Sequence, residues 1–399
     1  MEVFRLFQRK IIDEEMKKKL LFIIDSLVCG GAEKSLVSLL PLIDYERYNV
    51  DLLMFARGGA FEKYVPSEVN VIQHDLFGSS PIDKLNSFLY QLTFSALLRL
   101  NSKRHGAENR WRAMHNVVKP MKKQYDIAIA YQQGFPTFFI ATKVKAIKKL
   151  AWINADVYEA GYDMEYCRQF YEQMDHVVPV SKKLQEKLTR LTPCLADKLS
   201  CIYDIVNPEL IKKLSVESIP EEGLFDECIN IVTVGRLSKP KNYLLAVDAA
   251  RVLKDKGLRF KWFFVGSGGM RTAIENRIKE HGLEDIVILL GLKENPYPYM
   301  AKADVYVQTS SFEGFGLTIA EAKILHKPIV STNFDVVYDQ IVDGKNGLIA
   351  EMNPESVANK IFELVNDRDL RNRLIGNLKM EQNTTYLSEI GKFNSLLES

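Results

Sequence analysis

The chain has 399 residues, is 47% hydrophobic and 26% charged, and carries a formal net charge of +2. That length exceeds one ordinary core and implies two domains of about 200 residues each, while the near-neutral balance argues against a dedicated nucleic-acid binder. Five cysteines with no C-x-x-C pair read as reduced thiols of a cytosolic protein and exclude a zinc site of that type.

The opening MEVFRLFQRKIIDEEMKKKLLFIID is interrupted by acids and its apolar run is short, so it does not read as a secretory signal; residues 1–15 are expected to be a loosely held extension. No apolar run is long enough to predict a membrane-spanning helix. The run LLFIID (20–25) predicts the first strand, followed by Gly30-Gly31 and a helix to about Leu40. NVDLLMF, NVIQHD, DIAIAY, KLAWIN and DHVVPVS are further strand candidates separated by helical patterns. Uninterrupted apolar strands alternating with helices predict a parallel sheet covered on both faces. Residues 81–124 differ, being helical in pattern and basic, with Lys84, Arg99, Lys103, Arg104, Arg110, Arg112, Lys119, Lys122 and Lys123 against Asp83 and Glu108. Such a surface suits an anionic membrane face, or is an ordinary helical excursion with a solvated side.

A polar stretch at 207–230 with two prolines and clustered acids reads as a linker. The alternation then restarts with INIVTVGRL, a helix over KNYLLAVDAARVLKDKG, the strand and turn FKWFFVGSGG, and the strands DIVILLG, ADVYVQTS and KPIVST. The fold class expected is α/β, two Rossmann-like doubly wound parallel-sheet domains facing a central cleft. The expected division is 16–206 and 207–384. In open parallel sheets, ligands sit beyond the carboxyl ends of the strands.

The stretch SSFEGFGLTIAEA (310–322) places Glu313 before a Gly-Phe-Gly turn and Glu321 inside the helix after it. Glycines let the backbone approach a ligand, and a helix start offers unpaired N–H groups to phosphate oxygens. Carboxylates accept hydrogen bonds from hydroxyls, so two of them flanking a phosphate site suit a sugar and a ribose. The plain alternative is helix capping by Glu313 and a solvated Glu321. Gly30 and Gly31 precede a helix and either meet phosphate or simply satisfy the turn. Taken alone, Arg236 and Lys241 read as surface cations. VGSGGMR holds only a partial G-x-G-x-x-G, with Arg271 at the third glycine position, which is weak evidence for a nicotinamide site.

The pattern E-x7-E in EGFGLTIAE resembles the donor-site signature of the family 4 retaining glycosyltransferases, which have the GT-B fold. VTVGRLSKPKN, GGAEKSL, FFVGSGG, LLGLKEN and DQIVDGKNGLI resemble further segments of that family in the expected order. The resemblance is continuous over about 229–367 and patchy before it; it implies that 16–206 is the acceptor domain and 207–384 the donor domain, with a helix at 385–399 packing back on the first. It implies that Glu313 binds donor sugar hydroxyls beside the reacting carbon and that Glu321 takes the ribose hydroxyls. The backbone of Gly314, Phe315, Gly316 and Leu317 would line sugar and diphosphate, with Gly266, Gly30 and Gly31 also on the donor. Arg236 and Lys241 would neutralise the departing diphosphate. Many family members carry a histidine in W-I-H-x-D; here AWINADV has Asn154 in its place, a residue that exchanges hydrogen bonds with a sugar hydroxyl but carries no charge.

The same resemblance implies a metal-independent enzyme, with no cofactor beyond a nucleotide-diphosphate sugar as substrate. It would pass a sugar to a hydroxyl of a glycan or lipid-linked acceptor in bacterial surface polysaccharide or glycan assembly. It is expected in the cytoplasm, with peripheral contact to the inner face of the plasma membrane through 83–123 as one reading of the basic segment. A sugar-nucleotide epimerase of the same fold and a non-catalytic sugar-nucleotide-binding protein are the competing readings.

Overall fold

A computed structural model describes residues 17–28, 30–78, 80–100, 104–221, 223–225, 227–381 and 385–399; the expected extension at 1–15 lies outside the described residues. The chain divides into two compact units, one running to Ile205 and taking in Glu389–Ser399, the other Val206–Ser388.

In the first unit the strands are β1 (Lys18–Ile24), β2 (Tyr48–Met54), β3 (Asn70–Ile72), β4 (Gln124–Ala130), β5 (Lys145–Ile153) and β6 (His176–Pro179). All pair in parallel, in the order β3-β2-β1-β4-β5-β6. Leu20 to Ile24 are fully buried, as a central strand with both faces covered requires. The helices are α1 (Gly31–Leu39), α2 (Pro81–Leu100), α3 (Gly106–Met114), α4 (Phe135–Lys143), α5 (Met164–Tyr171) and α6 (Lys182–Leu191). Trp111 of α3, Phe135, Phe138 and Phe139 of α4 and Phe170 of α5 fill the core on one face of the sheet. The other face receives the last helix of the chain, Thr385–Glu398, whose Phe393 stacks on Phe22 and tilts against Trp152. Glu389 accepts from the Tyr203 backbone N–H at 2.9 Å, and Lys148 Nζ donates to the Leu396 carbonyl at 2.5 Å, so polar ties hold the same helix.

The second unit repeats the plan with β7 (Ile229–Val234), β8 (Phe260–Val265), β9 (Val287–Gly291), β10 (Val305–Gln308), β11 (Ile329–Thr332) and β12 (Leu348–Ala350), in the order β12-β11-β10-β7-β8-β9. Its helices are α7 (Pro208–Ser215), α8 (Tyr243–Asp255), α9 (Arg271–Glu280), α10 (Tyr297–Lys302), α11 (Leu317–Ile324), α12 (Pro354–Asn366) and α13 (Arg368–Met380). The polar stretch read as a linker therefore begins with a helix of this unit. Asn207 caps it, accepting from the Glu209 and Leu210 N–H groups, and Pro208 stands at a first-turn position where its missing N–H costs nothing. Ile211 and Leu214 of α7 are buried, which a solvated linker would not allow.

The basic segment resolves into α2 and α3. Arg104 and Arg112 pair with the fully buried Glu108, Lys119 with Asp83, and Lys123 with Asp51, so much of its positive charge is compensated. α2 shows solvent many apolar side chains, with Ile82, Leu85, Phe88, Leu89, Leu92, Leu98 and Leu100 exposed beside Lys84, Gln91 and Arg99. Among the described residues no helix is long and apolar enough to cross a membrane.

Candidate active site

In each parallel sheet the order of strand addition reverses once, where β1 stands beside β4 in the first unit and β7 beside β10 in the second. The crevice beyond the carboxyl ends of such a strand pair is where open α/β sheets hold ligands. In the second unit β7 ends at Val234 and runs into Gly235, Arg236 and the turn to Lys241, while β10 ends at Gln308 and runs into the loop holding Glu313. The two loops are tied together. Ser311 donates from its backbone N–H to the Pro240 carbonyl at 2.7 Å, and Thr309 Oγ1 to the Lys241 carbonyl at 3.1 Å. Asn242 takes the left-handed conformation, φ 48°, at the end of the turn, which a short polar side chain tolerates.

These ties bring Lys241 onto Glu313, with Nζ 2.5 Å from Oε1 and side chains only 22% and 13% exposed. Gln308 Nε2 donates to the same oxygen at 2.7 Å and Ser310 Oγ at 2.6 Å. The Gln308 amide has one orientation here because its Oε1 accepts from Tyr306 at 2.5 Å and Thr318 at 3.0 Å. Three donors on one oxygen hold the carboxylate in place and leave Oε2 outside these bonds. Arg236 is exposed on the same turn as Lys241.

Gly316 adopts φ 85° at the start of α11, a conformation that favours glycine. No acidic side chain stands in the first turn of that helix, so its N–H groups face no built-in anion. Gln340 donates through Nε2 to the Phe315 carbonyl, and to that of Gly316 at 3.2 Å, fixing the loop just before α11. Gly314, Phe315, Gly316 and Leu317 are buried in this loop. Gly266, φ 153°, comes so close to the turn after β7 that an added Cβ would lie 1.9 Å from the Gly235 carbonyl oxygen. Its place is beneath the Arg236 turn, supporting it. Glu321 is only 1% exposed, and its Oε1 accepts from Tyr297 of α10 at 3.0 Å.

In the first unit, Gly30 precedes α1 and an added Cβ would lie 2.2 Å from Glu33 Oε2, whereas Gly31 has open space. A carboxylate thus already covers this helix start, where it opposes a bound phosphate. Asn154 follows β5, its backbone N–H donating to Gln133 Oε1 at 2.9 Å, and both polar atoms of its side chain are buried without a partner among the described residues. Asp204 is buried near Tyr131 and Ser35, and burial pushes its carboxyl up to about 7. Motif spacing does not single out Gln308, Ser310 or Gln340; the only sequence sign of Gln308 is an amide ending an otherwise apolar strand.

Comparison with known proteins joins this geometry to chemistry. Residues 216–380 match the family described as Glycosyl transferases group 1. The chain is 26% identical over 358 residues to an N-acetylgalactosamine-N,N'-diacetylbacillosaminyl-diphospho-undecaprenol 4-alpha-N-acetylgalactosaminyltransferase of Campylobacter jejuni, covering 89% of this chain and 92% of that one. The enzyme is a glycosyltransferase. A second C. jejuni relative of the transferase, a GalNAc-alpha-(1->4)-GalNAc-alpha-(1->3)-diNAcBac-PP-undecaprenol alpha-1,4-N-acetyl-D-galactosaminyltransferase, is 24% identical over 93% of this chain and 96% of its own. Among solved structures, Anabaena HepE in complex with UDP and glucose superposes with a TM-score of 0.72 at 19% identity, covering 96% of this chain and all of that one. Staphylococcus aureus TarM, in a complex containing UDP, gives 0.69 at 16% identity and covers 96% of the transferase and 100% of TarM. The fold is GT-B, two α/β units each built on a six-stranded parallel sheet.

Proposed function

We propose that the protein moves a sugar from a nucleoside-diphosphate sugar to a hydroxyl of a glycan or lipid-linked acceptor, with retention of anomeric configuration, in surface polysaccharide or glycan assembly. The observation that carries this is the Lys241–Glu313 pair at the strand-order reversal of the second unit, beside a helix start lacking a competing acid. A carboxylate whose one oxygen is saturated offers the other to sugar hydroxyls. The N–H groups at the start of α11 suit the diphosphate. Lys241 has three ammonium protons and gives one to Glu313, so its remaining donors and the Arg236 guanidinium meet charge that grows on the leaving diphosphate.

In this reading the acceptor hydroxyl attacks the anomeric carbon from the face the diphosphate leaves, and a phosphate oxygen takes its proton. The protein supplies orientation and fixed charge, and no metal is needed. Glu321 takes the ribose hydroxyls in this reading, and its Oε1 already accepts from Tyr297. The donor assignment is supported by UDP in the HepE and TarM structures, and the lipid-linked acceptor by the two C. jejuni relatives. The exposed apolar side of α2 suits a membrane interface, where such an acceptor resides. A thermal-shift screen against UDP-, GDP- and ADP-sugars tests the donor, since native-state binding raises the melting temperature by mass action. No shift with any of them would contradict the reading. Isomerised donor without transfer would indicate an epimerase.

A further inference from the structure

The first unit has its own strand-order reversal, between β1 and β4, and the side chains there are not satisfied. Asp25 follows β1. Its backbone is pinned on both sides, the N–H donating to Gln132 Oε1 at 3.3 Å and the carbonyl accepting from Ala56 N–H at 2.9 Å. Its carboxyl is not pinned: Oδ1 is buried with no partner among the described residues. Asn154, two strands away after β5, repeats the pattern, with backbone held by Gln133 and both side-chain polar atoms buried and unpartnered. Gln132 and Gln133, following β4 between them, spend their carbonyl oxygens on those backbone bonds.

A folded chain rarely leaves buried polar groups unpaired, because each forfeits its hydrogen bonds to water. Asp25 and Asn154 do so on one edge of one sheet, where α/β folds take ligands. Among the described residues neither side chain braces the fold through a hydrogen bond. The chemistry of the set is specific: a carboxylate accepts, an amide accepts and donates, and a sugar hydroxyl does both. The charged group acting on Asp25 is Arg110, whose guanidinium lies over the Phe135 ring at 4.6 Å and makes no ion pair among the described residues. Burial pushes the Asp25 carboxyl up to about 6 against the pull of Arg110, as for a group kept dry until something occupies the edge.

We infer that Asp25 binds a sugar hydroxyl directly, together with Asn154, at the carboxyl edge of the first unit's sheet. The ligand class rests on the proposed sugar transfer. Two sugars have this chemistry, that of the donor and that of the acceptor, and kinetics separates them. Asp25→Asn and Asp25→Ala are compared with wild type for KM of donor and of acceptor, for affinity for the free nucleoside diphosphate, and for melting temperature. A rise of about ten-fold or more in one sugar substrate's KM or loss in its kcat/KM is expected, the size of one charged hydrogen bond. Nucleoside-diphosphate affinity should stay within about two-fold. A change confined to the acceptor assigns Asp25 to the acceptor sugar, and one confined to the donor assigns it to the donor's sugar. Wild-type kcat and KM for both substrates in both variants would overturn the inference.

Asp25→Asn removes a buried charge at constant shape, so it should melt at or above the wild-type temperature. If it melts lower, Asn154→Ser carries the same comparison. If wild type turns over no nucleotide sugar, the transfer reading fails. Asp25 is then tested alone by whether simple sugars raise the wild-type melting temperature and fail to raise that of Asp25→Asn; equal behaviour of the two proteins would overturn it.

Discussion

Lys241→Met cuts one bond of a nearly dry pair, and its effects can be sized from the contacts. The two side chains are 22% and 13% exposed and 2.5 Å apart, so solvent screens the pair little. Removing one partner of a buried pair costs about 3–5 kcal/mol. Glu313 Oε1 keeps its bonds from Gln308 and Ser310, which places the loss at the low end, about 3 kcal/mol. For a unit of this size that lowers the melting temperature by roughly 6–12 °C. Activity should fall further than stability explains, by about 10²–10³ in kcat at saturating donor, the usual loss for one preorganised charge at a developing anion. Glu313→Gln should be comparably damaging, and the double variant Lys241→Met/Glu313→Gln should be less destabilised than the sum of the singles by about 2 kcal/mol. Thermal melts and steady-state kinetics on the four proteins give both numbers. Additivity in stability within about 0.5 kcal/mol, or a Lys241→Met variant with unchanged kcat, would refute the coupling on which the site is built.

Gln308→Leu leaves the Tyr306 and Thr318 hydroxyls without their acceptor and Glu313 without one donor, so stability should drop by about 2 kcal/mol and kcat with it; a melt and a progress curve decide. Gly266→Ala forces a Cβ to within 1.9 Å of the Gly235 oxygen, so the Arg236 turn must shift and nucleoside-diphosphate affinity should fall; unchanged affinity by titration would remove Gly266 from the support of that turn. Burial raises the Asp204 carboxyl from 3.8 to about 7, so the folded chain holds that proton more tightly than the unfolded one. The stability this brings is complete below pH 3.8 and is lost as pH rises through 7, about 4 kcal/mol in all. Asp204→Asn should therefore melt higher than wild type at pH 8 and gain nothing at pH 4; a gain of equal size at both would contradict the assignment.

Much of the fold was legible in the sequence. Apolar runs such as LLFIID and FKWFFV can sit only in strands covered on both faces, and their alternation with helical patterns produced the parallel sheets observed. Less legible was whatever depended on a side chain choosing its partner. The stretch after Asn207 is polar in composition, yet an asparagine cap followed by proline starts α7 there, and two buried apolar residues outweigh the acids. His326 takes the left-handed position after α11, and burial together with Lys212 and Lys379 lowers its proton affinity, none of which its place in the sequence announces. Charges counted along 81–124 suggest a basic surface, but Glu108, Asp83 and Asp51 stand against them. Gln308 and Asp25 lie in unremarkable dipeptides; only the crossing order of the strands puts each at an edge where a ligand can be held.

The most direct test of sugar transfer at Glu313 is nucleoside-diphosphate release from a panel of nucleotide sugars, with and without a glycan or lipid-linked acceptor, for wild type and Glu313→Gln. Wild type should release diphosphate from one donor only when acceptor is present, with retained configuration in the product, and Glu313→Gln should do so about 10²-fold more slowly or worse. Turnover of Glu313→Gln at the wild-type rate, or release of no diphosphate from any donor, would contradict it.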